Sequence, residues 1–580
     1  MSLLALFRQC AIESSVGQSG FVGGLAEIVI ADSPDGSYLG SMSDSELLVT
    51  GARIRPIDVE NSVHSAMLVR SGRVVALGTE DEMAALGPHA EVVDVGGRTV
   101  LPGFIDAHNH MSFAAFAPAS VNCMTPPLGT LDEVLQVIST HCEGAMRGQW
   151  ITGFGFDGSK IRERRNPTRK ELDAAAPHHP FFLVDVSGHA GYANSLAFEE
   201  MRISECTPNP WGGSIEMDGQ GQPSGTVTGT VAGLLNSVSW EDFAQRDWDR
   251  ATRLLEQKAK DYLAVGLTGI SDAGVTPTGA ELYRRADREG RLPLTVQQIH
   301  AGDFLFDRPD LRHTELLDRI NAGAAGSLRN GAVKIWVDRA YPDGAAIHHV
   351  HDGCVKHVGT NFYSERDLRT VISQAAELGI NPVVHAMGDC AIDMVLDAYA
   401  EVRRSVGSNI VLRLEHAFVA GAEQADRMSE LGVDLVANPG LAHNVGDQFV
   451  GWRGNDQPHL KVLPVRTMID RGVRVSFASD HPAGDFSPAR IMATAIDRGH
   501  LSGAQIDPEE AVTVEEAVRA YTCNAALASD RADEEGTLEV GKRANFIVVD
   551  RDPFTCSADM LRDLVVDRTY VDGQLVHHSS

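Results

Sequence analysis

The pattern of apolar and polar positions gives the chain two textures, one nested inside the other. From residue 45, short apolar runs at 47–50, 66–70 and 74–77 are separated by tight turns, and Ser71-Gly72 is placed to close a hairpin. The same texture returns at 544–549, 564–566 and 570–576, with Asp572-Gly573 at a second turn. Neither end has enough strands for a sheet with its own core. Together they predict one small β-sandwich built from 45–100 and 535–580, which brackets the rest of the chain. Inside the bracket, apolar runs alternate with amphipathic helical stretches, as in a parallel α/β fold. The strand candidates are 104–108, 268–273, 294–300, 332–337, 382–385, 411–416, 434–437 and 474–479. Ser364 followed by Asp367 reads as the cap of an intervening helix, and Gly379 as its stop. Eight strands with helices between them predict a TIM-like (β/α)8 barrel over 101–534.

One connection is out of scale. The stretch between the first and second strands is far longer than a βα link requires. It holds strand-like runs at 150–156 and 180–186 and a helical run from about 242 to 265. Residues 112–240 or so therefore read as a subdomain inserted at the barrel mouth, where a substrate lid would sit. Residues 1–44, rich in Gly and Ser and without a period, read as an extension of unknown role.

Composition narrows the partners. A chain of 580 residues with 43% hydrophobic and 22% charged positions is globular and larger than one domain. Its net charge of −29 argues against a nucleic acid or an anionic membrane as partner. The eight cysteines are scattered without a C-x-x-C pair, which fits a reducing compartment. No apolar run approaches the ~18 residues of a membrane span, and Arg8-Gln9 cuts the N-terminal apolar stretch too short for a signal peptide. The expectation is a cytoplasmic protein acting on a small molecule, with a homodimer as the commonest assembly.

The chemistry is concentrated in Phe104-Ile105-Asp106-Ala107-His108-Asn109-His110. Residues two apart on a strand face the same side, so His108 and His110 converge in the barrel, and two neutral imidazoles suit zinc or a similar cation. Further ionisable residues recur at later strands: Lys334 in Val333-Lys334-Ile335-Trp336, His385, His416 in Leu414-Glu415-His416, and Asp480 after Ser479. These fall on strands one, four, five, six and eight, at or near the strand ends where such barrels place their active sites. Buried Lys, His and Asp are costly unless paired or metal-bound. Glycine-rich nucleotide-binding motifs are absent.

Over residues 45–577 the sequence resembles the amidohydrolase superfamily, and within it amidohydrolase family 3, the N-substituted formamide deformylase-like branch. The motifs are Leu101-Pro102-Gly103 running into the His108/His110 segment, the 150–157 segment, Gly188-His189 followed by Asn194-Ser195, Val333-Lys334-Ile335, His385-Ala386-Met387-Gly388-Asp389, Glu415-His416-Ala417 and Ser479-Asp480. The resemblance implies a barrel with a terminal β-sandwich, one or two divalent metals such as zinc, and hydrolysis of a C–N bond. It implies that His108, His110 and Asp480 hold the more buried metal, and that His385 and His416 hold a second or orient substrate. Lys334 would match a strand-four lysine that several relatives carboxylate to bridge two metals. A free ammonium cannot ligate a cation, so the alternative is a structural lysine paired with an acid such as Asp338. Asp480 would act as general base and then acid. His189 and Asn194 would reach substrate from the insertion, or else organise a loop, and His443 would line the mouth after strand seven.

His348, His349, His351 and His357 read as part of a solvated loop. The chain departs from the family after Lys334, where Trp336-Val337-Asp338-Arg339-Ala340 replaces a Gly-Ser-containing loop, and at His481-Pro482-Ala483-Gly484. Both departures bear on substrate. A deaminase on the same barrel would carry H-x-x-E at the strand-five histidine, where this chain has His385-Ala386-Met387-Gly388. A non-catalytic scaffold would have lost ligands that are intact here.

Overall fold

The computed structural model describes residues 46–579 except 187, 189, 211, 302–313, 323–325, 339–344, 352–353, 360, 408 and 454–458. Its centre is one parallel sheet of eight strands: β1 (Phe104–Asn109), β2 (Leu267–Val275), β3 (Thr295–Ala301), β4 (Leu328–Trp336), β5 (Asn381–Ala386), β6 (Leu412–His416), β7 (Val433–Ala437) and β8 (Arg474–Phe477). Each strand pairs with its sequence neighbour in parallel register. The seam between β8 and β1 closes just beyond β8. There the Asp480 amide donates to the His108 carbonyl, and the His110 amide donates to the His481 carbonyl, both at 2.9 Å. The (β/α)8 barrel expected from the sequence is therefore the observed fold. β1, β2 and β3 are buried along their whole length, polar residues such as Asp106, Asp272 and Gln297 included.

The helix Glu365–Glu377 forms as its caps predict: the Ser364 hydroxyl accepts from the Asp367 amide, and Gly379 leaves it at φ +71°.

Strands from both ends of the chain share a sheet. Arg53–Ile54 and Thr99–Pro102 continue into Phe546–Val549, Val566–Val571 and Gln574–His578. A second, wholly N-terminal sheet orders Arg73–Gly78, Ala66–Arg70, Glu46–Thr50 and Glu91–Asp94. The two meet through Leu47, Val49, Val69, Val100, Phe546, Val548 and Tyr570. Ser71-Gly72 and Asp572-Gly573 have positive φ at both residues, as a two-residue hairpin turn requires.

Between β1 and β2 lies a six-stranded sheet with its own apolar clusters. The helical run expected at 242–265 is two helices, Thr230–Arg246 and Trp248–Ala264. The chain leaves helical geometry at Asp247, whose carboxylate accepts from the Arg250 amide and starts the second helix. The histidine-rich segment after β4 is a hairpin, Ile347–His351 with Cys354–Val358, rather than a loop. The β-branched residues Ile347, Val350, Val355 and Val358 supply the strand propensity there. Among the described residues no helix is long and apolar enough to cross a membrane.

Candidate active site

Asp106, His108 and His110 share the parity of one strand face, and both histidines meet Asp480 across the seam. One ligand atom from each of His108, His110 and Asp480 lies within 4.8 Å of the other two. His110 Nδ1 is 2.6 Å from the Ala273 carbonyl, which only accepts, so Nδ1 carries the proton and Nε2 of the neutral ring presents a lone pair. That lone pair faces Asp480 Oδ1 at 3.0 Å. His108 repeats the arrangement: Nδ1 is against the Glu415 carboxylate, and Nε2 is 3.2 Å from Asp480 Oδ1. Acceptors that converge at such distances require either protons or a cation between them. Two imidazole nitrogens and a carboxylate oxygen are a donor set that fits a divalent cation.

The electrostatics follow from the same contacts. Burial, reinforced by the charge on Lys334, pushes His108 well below the usual histidine range, which keeps its ring neutral. Burial also pulls His110 down, but its hydrogen bond and charge pairing with Asp480 outweigh that and raise it. For Asp480, burial acts upward and is overcome by His108 and His110, leaving its carboxyl well below the ordinary carboxylate range.

Around this cluster the structure gathers most of the other expected residues. The rings of His385 and His416 are 4.5 Å apart, and His416 is 4.9 Å from His108. The His416 Nδ1–H donates to Asn438 Oδ1 at 2.7 Å, and burial pushes this histidine down to about 4. Lys334 is fully buried, and burial drives its amine well below the usual lysine range. Its acidic partner is Glu415, at 3.7 Å, and not Asp338. Asp338 instead accepts amide hydrogens from Ala346, Met387 and Gly388 and lies 3.6 Å from His385 Nε2.

Two acids that sequence reasoning passed over hold the site together. Asp106 accepts from the amides of Ser479 and His108 and from the side chains of Ser479 and Asn109. It thereby ties β1 to the turn that presents Asp480, and burial pushes its carboxyl up to about 6. Its position two residues before His108 was the available signal. Glu415 is fully buried and bound by Arg413 Nε. Strand alternation admits only one of two adjacent residues to the barrel, so choosing His416 hid it. The strand turns out of extended geometry at His416, φ +78°, which brings both inside.

The substrate-binding expectations fare differently. His189 lies outside the described residues. Asn194 is corrected to a structural role. It is fully buried; its Oδ1 accepts from the amides of Ala197 and Phe181, and its Nδ2 donates to the carbonyls of Ala176 and His179. Its hydrogen-bonding capacity is thus spent inside the insertion. His443 is tied through Nδ1 to the Gly499 carbonyl at 2.7 Å.

A sequence profile described as the amidohydrolase family matches residues 91–577. The chain belongs to the amidohydrolase family. This amidohydrolase is 56% identical over 531 residues to the N-substituted formamide deformylase of Arthrobacter pascens, a match covering 91% of this chain and 98% of that protein. Its fold is similar to that of an uncharacterized metal-dependent hydrolase from Pyrococcus horikoshii OT3, with TM-score 0.71 and 21% identity over 89% of this chain and 99% of that one. A counterpart from Pyrococcus furiosus gives TM-score 0.67 and 23% identity over 88% and 100% of the two chains. Family and sequence relative together make the amidohydrolase a hydrolase of carbon–nitrogen bonds other than peptide bonds, the first of the three readings drawn from its motifs.

Proposed function

We propose that the protein hydrolyses N-substituted formamides or closely related amides, with one zinc ion held by His108, His110 and Asp480. The observation that carries this is the convergence of three acceptor atoms at the C-terminal ends of β1 and β8, in a chain 56% identical to a named deformylase. A single cation is favoured because Lys334 Nζ faces the Glu415 carboxylate. A carboxylated lysine there would set two buried anions together. His385 and His416 then orient substrate. Six described cysteines are free thiols, in keeping with a cytoplasmic enzyme.

A bound divalent cation would lower the pKa of a water molecule from 15.7 towards ~7 and polarise the formyl carbonyl. The protein's own part is to place and move a proton. Oδ1 of Asp480 faces the two imidazoles, and Oδ2 makes no hydrogen bond among the described residues, so it is available to substrate and water. Asp480 takes the proton of the attacking water as oxygen bonds to the formyl carbon. It returns that proton to the nitrogen as the C–N bond breaks, releasing an amine and formate. Asp480→Asn, assayed with zinc in excess on a panel of N-substituted formamides and N-acyl amines, is expected to lower kcat by about 10³-fold. Residual turnover within tenfold of wild type would remove Asp480 from this role. A purified wild type that holds substoichiometric metal and is not activated by zinc or manganese would overturn the metal-dependent reading.

A further inference from the structure

We propose that Glu415 is the positioning residue that makes His108 a ligand through Nε2, and that Arg413 holds Glu415 in place for that purpose. This rests on the metal-dependent reading above. Glu415 Oε2 lies against His108 Nδ1, and neither atom has another hydrogen-bonding partner. The opposite ring nitrogen, Nε2, is the one that faces Asp480. A carboxylate only accepts, so its presence at Nδ1 requires the ring proton to sit there and leaves the lone pair on Nε2.

The carboxylate is itself fixed. Arg413 and Glu415 are two apart on β6 and share its inward face. Arg413 Nε donates to Glu415 Oε1, while the same guanidinium reaches the carbonyls of Ala107 and Ala528. Both side chains are almost wholly buried. Ala107 immediately precedes His108, so one arginine joins the ligand strand, the positioning acid and the barrel floor. His110 needs no such acid, because the Ala273 carbonyl does the same service for its ring.

The arrangement makes an isosteric variant informative. In Glu415→Gln the amide oxygen keeps the hydrogen bond from Arg413, which turns the NH2 group towards His108 Nδ1. A donor at Nδ1 demands a lone pair there and moves the ring proton to Nε2, which faces the cation. Zinc affinity, measured by competition with a chromophoric chelator, is expected to fall about 10- to 100-fold. The metal-free variant leaves buried Arg413 and Lys334 without their acid and is expected to unfold at a lower temperature. Affinity is therefore compared on protein that circular dichroism shows to be folded, and Glu415→Asp is expected to recover part of it. Wild-type affinity in Glu415→Gln would overturn the proposal, as would equal losses in the Gln and Asp variants. If the Gln variant does not fold, cobalt-loaded wild type decides by proton NMR. A solvent-exchangeable, hyperfine-shifted His108 N–H that shows a nuclear Overhauser effect to its own β protons and none to its Hδ2 puts the proton on Nδ1 and supports the proposal, and an effect to Hδ2 puts it on Nε2 and overturns it. A wild type that binds neither zinc nor cobalt defeats the metal-dependent reading itself, an outcome distinct from a loaded wild type matched by a loaded Glu415→Gln.

Discussion

Asp106 shows how a single side chain can organise ligands without touching a metal. Its two oxygens accept four hydrogen bonds, two from Ser479 across the seam and two from its own strand segment. Asn109 adds a second link to Ser479 at 3.1 Å and takes a hydrogen bond from the Tyr262 hydroxyl on the helix behind it. The backbone that follows needs this support, because Asp480 sits at φ +56°, where a non-glycine residue carries strain. Asp106→Asn keeps the shape but replaces one acceptor oxygen with a donor, turning it towards groups that themselves donate. The loss is expected to be on the order of 3 kcal/mol. The unfolding entropy of a chain this size is large, so that corresponds to a fall of only about 3 °C in the thermal midpoint of the metal-free protein. Differential scanning calorimetry checks it, and an unchanged midpoint would show that the seam does not depend on this carboxylate.

At the scale of elements, the barrel was legible because its strands are buried on both faces and separated by capped helices. All eight appeared as apolar runs within a few residues of their observed limits. The convergence of His108, His110 and Asp480 was legible through parity on β1 and through strand-end placement of Asp480. What stayed hidden had physical reasons. Glu415 was masked because the left-handed turn at His416 breaks the alternation on which inward-facing residues are counted. The Lys334 partner was misjudged because Asp338, four residues away in sequence, is consumed by three backbone amides. Asn194 misled because a helix cap and a substrate contact use the same residue type. In the structure it starts the helix Ser195–Glu200 and ties that helix to the strand Phe181–Asp185. Asn194→Ala removes a cap and two buried donors, a loss of about 2–3 kcal/mol. It should therefore raise amide hydrogen exchange across the inserted sheet while leaving KM near the wild-type value. A large rise in KM without a change in exchange would restore the substrate-binding role.

At the scale of the whole molecule, the proposed ligands come from the first and the last strand of the barrel and meet at one mouth. His110 and Asp480 are 370 positions apart in the chain, yet they face each other across the seam that joins β1 to the segment just beyond β8. A cation held there would do more than supply chemistry, because it would fasten the first strand to the last. The net charge of −29 increases the attraction for a cation at low ionic strength. Binding confined to the folded state stabilises it by about 2.7 kcal/mol when free metal is 100 times its Kd. The location of that stabilisation is more telling than its size. Removing metal with a chelator leaves the carboxylate of Asp480 facing two lone pairs, so proton uptake or local opening must relieve the contact. Amide exchange should then quicken at Phe104–Asn109, Arg474–Phe477 and the Asp480 turn, and stay slow in Asn381–Ala386 on the far side of the sheet. Zinc should restore protection along the seam together with activity. Uniform loosening of all eight strands would instead mean that the barrel is closed by its core alone and that the metal contributes to stability without fastening the seam.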